Sequence, residues 1–167
     1  MLLPPALLLS GSCVSADMAL YSSCPSPFGS IRIGWEDDAV VSLRLGEADP
    51  NIPSPVSELA AVQLQEYFAG TRKTFTFPIR LKGTPFQISV WNALPQIPYG
   101  QTTTYKDIAK AIGNEKAVRA VGMACNRNPI WIAIPCHRVV GVNRKLTGYA
   151  GGLSMKETLL KLEAQHT

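Results

Sequence analysis

The stretch Ile134-Pro135-Cys136-His137-Arg138-Val139-Val140 inserts a cysteine, a histidine and an arginine into apolar sequence. Pro135 fixes its own φ and has no N–H to donate, so we expect a strand to be interrupted before Cys136 rather than to continue through it. His137 offers the thiol a proton acceptor, and the positive charge of Arg138 favours a thiolate. Free cysteine is also among the most buried residue types, so these residues alone leave a reactive and a structural thiol equally open.

The composition is typical of a soluble globular protein, with 46% hydrophobic and 17% charged residues in a chain of 167. No run of eighteen apolar residues occurs, so we predict no membrane span. Residues 1–83 hold six Lys/Arg and eight Asp/Glu, whereas residues 84–167 hold ten and four. This basic second half predicts contact with a polyanion; a merely solvated surface is the alternative.

The cysteine and histidine content argues against metal and disulfide sites. The cysteines are Cys13, Cys24, Cys125 and Cys136, without a Cys-x-x-Cys pair, and the histidines are His137 and His166. We therefore predict no metal, no disulfide framework and a reducing compartment.

The first half of the chain predicts a small sheet with one helix. Residues 1–24 lack the basic start of a secretion signal and are interpreted as a disordered extension or a misassigned start. Alternating apolar residues predict strands over 30–35 and 40–45, and a third over 74–79. Pro55, after Ser54, is a favoured helix start, and helical spacing continues to Gly70. Residues 25–83 are thus an N-terminal α/β domain.

The second half, residues 84–167, is predicted to be mostly helical. A helix begins at Pro85, and Thr104 with Asp107 forms a capping box before a short helix. A glycine turn and a second helix over 115–125 complete a helix-turn-helix signature. An apolar strand over 130–134 follows, and Ser154 caps a last helix. The predicted class is α+β, with a winged-helix or helix-turn-helix-like C-terminal domain. Many helix pairs of this kind bind nothing, so this signature alone leaves DNA binding open.

The second of these helices carries one arginine among small residues. Arg119 lies between Ala117, Ala120 and Gly122. Small side chains let a helix approach a binding partner closely, but they serve equally well for packing against another helix. Both interpretations stay open on these residues alone.

Several separate motifs together resemble the O6-alkylguanine-DNA alkyltransferase family. They are Ile97-Pro98-Tyr99-Gly100, Thr104-Tyr105, Val118-Arg119-Ala120-Val121-Gly122, Asn128-Pro129, Pro135-Cys136-His137-Arg138, Gly148-Tyr149-Ala150-Gly151-Gly152 and Glu163. The resemblance covers residues 25–163. It implies a repair protein that irreversibly moves an alkyl group from O6 of guanine in DNA to its own cysteine, so that each molecule acts once.

The resemblance implies a catalytic role for five residues. Cys136 is the alkyl acceptor, and His137 takes its proton through a water, oriented by Glu163. Tyr105 donates to the guanine ring at N3, and Asn128 braces the loop that holds Cys136. From the residues alone, Glu163 is better interpreted as a solvated carboxylate near the chain end.

Further residues are implied to bind the substrate and the duplex. The Val139 carbonyl accepts from the exocyclic amine, the Ala150 amide approaches O6, and Tyr149 and Met123 shape the alkyl pocket. The DNA-binding residues are Arg119, which fills the gap left by the flipped base, with Ala117, Ala120, Gly122 and Thr104. The helix is expected in the minor groove, and the flipped base costs a few kcal/mol to extrude.

The expected partner is double-stranded DNA containing O6-alkylguanine, bound by a monomer without cofactor or membrane, in the cytoplasm or in a eukaryotic nucleus. A catalytically inert, lesion-sensing alkyltransferase-like protein is the alternative; those proteins carry tryptophan where this chain has Cys136. A cysteine hydrolase is a second alternative, but it needs an oxyanion hole, for which the sequence offers no support.

Overall fold

The computed structural model describes residues 19–167. Strands β1 (Leu20–Ser26), β2 (Gly29–Glu36) and β3 (Ala39–Leu45) form an antiparallel sheet in that order. Helix α1 (Pro55–Phe68) packs on this sheet, and Ile33 and Leu64 are fully buried in the shared core. The predicted sheet-plus-helix unit is confirmed.

The second half is mostly helical, as predicted. Its elements are α2 (Pro85–Ala93), β4 (Thr103–Thr104), α3 (Tyr105–Ala111), α4 (Val118–Asn126), β5 (Val139–Val140) and α5 (Leu153–Gln165). Helices α2, α3 and α4 pack together, and the Trp91 indole donates to the Ala124 carbonyl at 2.8 Å. Strands β4 and β5 form a short parallel pair. The α+β class is confirmed. No helix within residues 19–167 is both long and apolar enough to cross a membrane.

Side-chain caps set three helix starts. Ser54, Thr84 and Thr104 each cap a helix through a reciprocal capping box, which satisfies backbone N–H groups that the first turn leaves unpaired. The predicted box at Ser154 is wrong. The cap of helix α5 lies two residues earlier, at Gly152. This glycine has a φ of 94°, which suits glycine, and it has no side chain with which to cap the helix.

The predicted N-terminal extension is wrong where it overlaps the sheet. Residues 20–24 belong to β1, which pairs with β2 from Leu20↔Trp35 onward. This strand lies at the sheet edge, where serines and Pro25 are tolerated, so it lacks a clear apolar alternation. Residues 1–18, which include Cys13 and the rest of that predicted extension, lie outside the described part.

Two other predicted strands do not form. In 74–79 only Ile79 makes a bridge, to Val40, and Pro78 has no N–H with which to extend the pairing. In 130–134 the chain turns: the Ile134 N–H donates to the Ile130 carbonyl, and Ile132 has a φ of 73°. A short apolar run shows that residues are buried, but it does not distinguish a strand from a buried turn.

Strand β3 anchors the segment that precedes Cys136. The Leu43 N–H donates to the Pro129 carbonyl at 2.9 Å, and the Trp131 N–H donates to the Leu43 carbonyl at 3.1 Å. These bonds cross the domain boundary predicted between residues 83 and 84, which stays a prediction. The sheet of the first half thus holds the loop on which the thiol sits.

Candidate active site

Cys136 begins a short 3₁₀ turn directly after Pro135, and its side chain is buried. Its Sγ accepts a hydrogen bond from Asn128 Nδ2 at 3.2 Å. The same amide nitrogen donates to the Ile134 carbonyl at 2.8 Å, and Asn128 Oδ1 accepts from the Ile130 N–H at 2.9 Å. Asn128 therefore ties together both the turn before Cys136 and the thiol itself.

Burial raises the pKa of Cys136 to about 11, although the Asn128 hydrogen bond and the Lys156 charge oppose the rise. The thiol of the free protein is therefore protonated at neutral pH and needs a base. The expectation that Arg138 supplies the charge favouring the thiolate is wrong. The guanidinium instead donates to both Glu163 oxygens and to the Ile97 carbonyl.

Lys156 is a buried cation that the sequence analysis missed. Its Nζ donates to the Val139 carbonyl at 2.5 Å and to the Thr147 carbonyl at 2.9 Å, and lies 3.5 Å from the Tyr105 hydroxyl. The available signal was its spacing in α5: Lys156 lies on the same helix face as Leu159 and Glu163. This signal was not enough, because the sequence does not show which backbone oxygens surround the ammonium group, and a lysine without known partners is expected to be solvated.

His137 and Glu163 form a fully buried pair, with Nε2 and Oε1 2.8 Å apart. Burial lowers the pKa of His137, although Glu163 opposes the shift, so the ring is neutral at pH 7. A carboxylate can only accept, so Nε2 carries the proton and Nδ1 is the basic nitrogen. Within residues 19–167 this buried Nδ1 has no hydrogen-bond partner.

Glu163 is held by more donors than His137 alone. Arg138 pairs with both of its oxygens, the Gly100 N–H donates to Oε2 at 3.1 Å, and the Tyr67 hydroxyl donates to Oε1 at 2.8 Å. Burial raises the pKa of Glu163, but the hydrogen bonds from His137 and Arg138 outweigh burial and lower it to about 2. We call Tyr67, His137, Arg138 and Glu163 the Glu163 cluster; the sequence analysis missed Tyr67 and this use of Arg138.

Two predicted substrate-binding residues, Tyr149 and Val139, lie near the thiol or Lys156, as does the predicted catalytic residue Tyr105. Tyr149 is buried against Trp131, and burial followed by the charge of Cys136 raises its pKa. Tyr105 opens α3, and its phenol donates to the Thr147 carbonyl at 3.2 Å. Val139 is buried, and its carbonyl binds Lys156. Ala150 is exposed beside Tyr149.

Helix α4 presents the predicted DNA-binding residues at the surface. Arg119 and Ala120 are exposed, as is Met123, the residue that the resemblance assigns to the alkyl pocket. The helix begins at Val118, three residues later than predicted, so Ala117 precedes it. A methyl group on Gly122 would lie 4.0 Å from Tyr105, so packing does not require glycine there.

Thr104 is half-buried, and most cations of the second half of the chain are exposed. The Thr104 hydroxyl donates to Asp107 at 2.7 Å as part of its cap. Eight of the ten cations of residues 84–167 are exposed; they are Lys106, Lys110, Lys116, Arg119, Arg127, Arg144, Lys145 and Lys161.

In the described part of the chain, no three His, Cys, Asp or Glu side chains come together as a metal site.

Comparisons with known proteins agree on one family. Residues 85–165 match the model of the DNA-binding domain of 6-O-methylguanine DNA methyltransferase. The chain is 50% identical to a methylated-DNA–protein-cysteine methyltransferase of Methanosarcina acetivorans, covering 86% of this chain and 97% of the relative. It is 46% identical to the constitutive enzyme of that name from Bacillus subtilis, over 87% and 96%.

Solved structures of the family superpose on this fold. The crystal structure of Mycobacterium tuberculosis OGT in complex with DNA matches with a TM-score of 0.81 and 42% identity, covering 88% of this chain and 94% of that one. The O6-methylguanine methyltransferase structure from the same organism also has a TM-score of 0.81, at 41% identity over 90% and 95%.

Proposed function

Because the chain belongs to the methylated-DNA–protein-cysteine methyltransferase family, we propose that Cys136 is the residue that takes the alkyl group from O6-alkylguanine in DNA. The transfer forms a thioether and is irreversible, so each molecule acts once. The observation that carries the assignment is the setting of the thiol: Asn128 braces Cys136, and His137 follows it with a neutral ring held by Glu163. Cys125 is buried on α4, where burial raises its pKa to about 12.

The reaction begins with loss of the thiol proton. His137 accepts it at Nδ1, and Glu163 stabilises the imidazolium that forms. Lys156 stabilises the thiolate by its charge. The sulfur then attacks the alkyl carbon; the S–C bond forms as the C–O bond breaks, and the electron pair goes to the guanine.

The leaving guanine carries negative charge and needs a proton. Tyr105 supplies a hydrogen bond or proton to ring N3, since burial raises the pKa of this phenol and keeps it protonated. The Ala150 amide approaches O6, and the carbonyls of Cys136 and Val139 accept from the exocyclic amine. Lys156 uses one lone pair of the Val139 carbonyl, which leaves the other for the base. Tyr149 walls the alkyl pocket.

The target base must leave the duplex to reach Cys136. We assign Arg119 on α4 to the gap in the base stack, with Ala120 and Gly122 allowing close approach in the minor groove. Exposed cations of the second half of the chain contact phosphates, so binding depends on salt and little on sequence. The protein acts as a monomer. It works in the cytoplasm, or in the nucleus of a eukaryote, where DNA is present and thiols stay reduced.

The proposal is tested by the mass of the intact protein after incubation with a duplex carrying one O6-methylguanine, followed by peptide mapping. We expect a gain of one methyl group on Cys136 and none in Cys136→Ala. The matched control is Cys125→Ala, which removes another buried thiol and should still gain the methyl group. Binding without a mass gain would favour the lesion-sensing alternative, and multiple turnover of an ester substrate would favour a hydrolase.

A further inference from the structure

Tyr67 brings the first half of the chain into contact with the catalytic carboxylate. It lies in the last turn of α1 and is fully buried. Its hydroxyl donates to Glu163 Oε1 at 2.8 Å, across 96 positions of sequence. Tyr67 is thus a side chain of the N-terminal domain in direct contact with the group that orients His137.

The oxygen that Tyr67 contacts is the one that holds His137. Glu163 Oε1 accepts from His137 Nε2 at 2.8 Å and from Arg138 Nη2 at 2.9 Å. Burial, followed by the nearby negative charge of Glu163, raises the pKa of Tyr67, so its hydroxyl is protonated at neutral pH and can donate. A protonated phenol shares the negative charge of Oε1 without competing for the proton of the imidazole.

Aromatic packing limits where that hydroxyl can lie. The Tyr67 ring contacts Phe75 and Tyr99, with ring centroids 5.5 and 6.2 Å away. The Tyr99 hydroxyl is also buried, yet it has no hydrogen-bond partner within residues 19–167. The two neighbouring tyrosines therefore differ in their hydroxyl contacts: the hydroxyl of Tyr67 donates to Glu163, and that of Tyr99 does not.

We propose that Tyr67 is a positioning residue of the alkyl-transfer reaction, which holds Glu163 Oε1 on His137 and sets how strongly the carboxylate attracts the imidazole proton. The proposal rests on the proposed function. It assigns the N-terminal domain a part in the chemistry besides supporting the loop of Cys136.

The test compares Tyr67→Phe with the matched control Tyr99→Phe, each of which removes one buried hydroxyl and keeps the ring. The first readout is the titration of His137 by ¹⁵N NMR, which is simplified because the chain has two histidines. Without the hydroxyl, Oε1 offers more of its charge to the imidazole, so the His137 titration should move to higher pH. The second readout is the single-turnover rate of methyl transfer at pH 7. Glu163 that has lost this donor no longer holds the imidazole in place, and this loss of positioning should outweigh the gain in basicity, so the rate should fall about tenfold, the value of one hydrogen bond to a charged group.

Tyr99→Phe should leave both readouts at their wild-type values. Tyr67→Phe behaving like Tyr99→Phe would overturn the proposal. Slower transfer with an unchanged titration would also overturn it, because that result indicates a loosened fold. So would a shifted titration with an unchanged rate, which marks a contact without effect on the reaction. A wild-type protein that gains no methyl group would instead refute the proposed function, while the titration still reports on Tyr67.

Discussion

The Glu163 cluster and the outer face of α4 both belong to the proposed site, but the side chains of the first are buried and those of the second are exposed. In the cluster, His137 and Glu163 are fully buried and bonded to each other. On α4, Arg119 and Ala120 are exposed to solvent. Under the proposed function, buried groups decide the protonation of the Cys136 thiol, whereas exposed groups of α4 contact the DNA. Variants in the two regions should therefore fail in different assays.

The largest effect is expected from His137→Gln. Glutamine keeps a side-chain N–H for Glu163 but cannot take the proton of Cys136. Methyl transfer at pH 7 should fall by about 10²–10⁴-fold, the usual contribution of a general base. Single-turnover rates measure this loss, and DNA affinity from a fluorescence titration should not change.

The pH dependence sharpens this prediction. Raising the pH toward 11 ionises the Cys136 thiol directly, so the deficit of His137→Gln should shrink. A deficit that is constant across pH would contradict the base role. His166→Gln is the matched control: this half-buried histidine bonds the Leu162 carbonyl, and its replacement should leave transfer unchanged.

Acid should weaken the buried region. The pKa of Glu163 is lowered to about 2 in the fold from an ordinary 4.5, so the unfolded state binds the proton more readily. The contribution of this carboxylate is complete above pH 4.5 and is lost as the pH falls toward 2, by roughly 3 kcal/mol. His137, whose pKa burial lowers, adds a loss that begins below its ordinary 6.5.

Urea unfolding of wild type and Glu163→Gln tests this prediction, with measurements about every pH unit between pH 3 and 7. The wild-type free energy of unfolding should fall more steeply below pH 4.5, because glutamine does not titrate. Parallel curves for the two proteins would show that Glu163 does not carry the acid sensitivity.

On the exposed face, Arg119→Ala should weaken repair of duplex DNA by about 10–100-fold. Without this side chain, nothing fills the gap that the flipped guanine leaves in the base stack. Repair of the same lesion in a single strand should suffer less, and the free energy of unfolding should stay within about 0.5 kcal/mol. Arg127→Ala is the matched control: it removes one exposed positive charge at the end of α4 without removing the side chain assigned to the gap. Equal losses on duplex and single strand would contradict the assigned role.

The smallest effect is expected from Gly122→Ala. The added methyl group has room in the free protein, and alanine favours a helix over glycine by up to about 1 kcal/mol, so thermal unfolding should shift upward. Affinity for duplex DNA should fall by less than about tenfold, because the methyl group separates α4 from the groove without removing a charge. A stabilised variant with unchanged affinity would remove Gly122 from the proposed interface.

Local patterns in the sequence predicted much of the fold. Pro55 after Ser54 marks the start of α1, and Thr104 with Asp107 marks the start of α3, since a cap acts within four residues. Cys136 was singled out by the abrupt change from apolar to polar residues around it. The strands expected over 74–79 and 130–134 failed, because burial alone does not specify an extended backbone.

Only the tertiary structure assembled the Glu163 cluster. From the residues alone, Glu163 is a carboxylate near the chain end and Tyr67 an aromatic residue of a core-facing helix. Their contact joins positions 96 residues apart, and it depends on how α1 and α5 pack around Arg138. A cap or a turn is decided by neighbours in sequence, but the partners of a buried charge are decided by whichever distant segments enclose it.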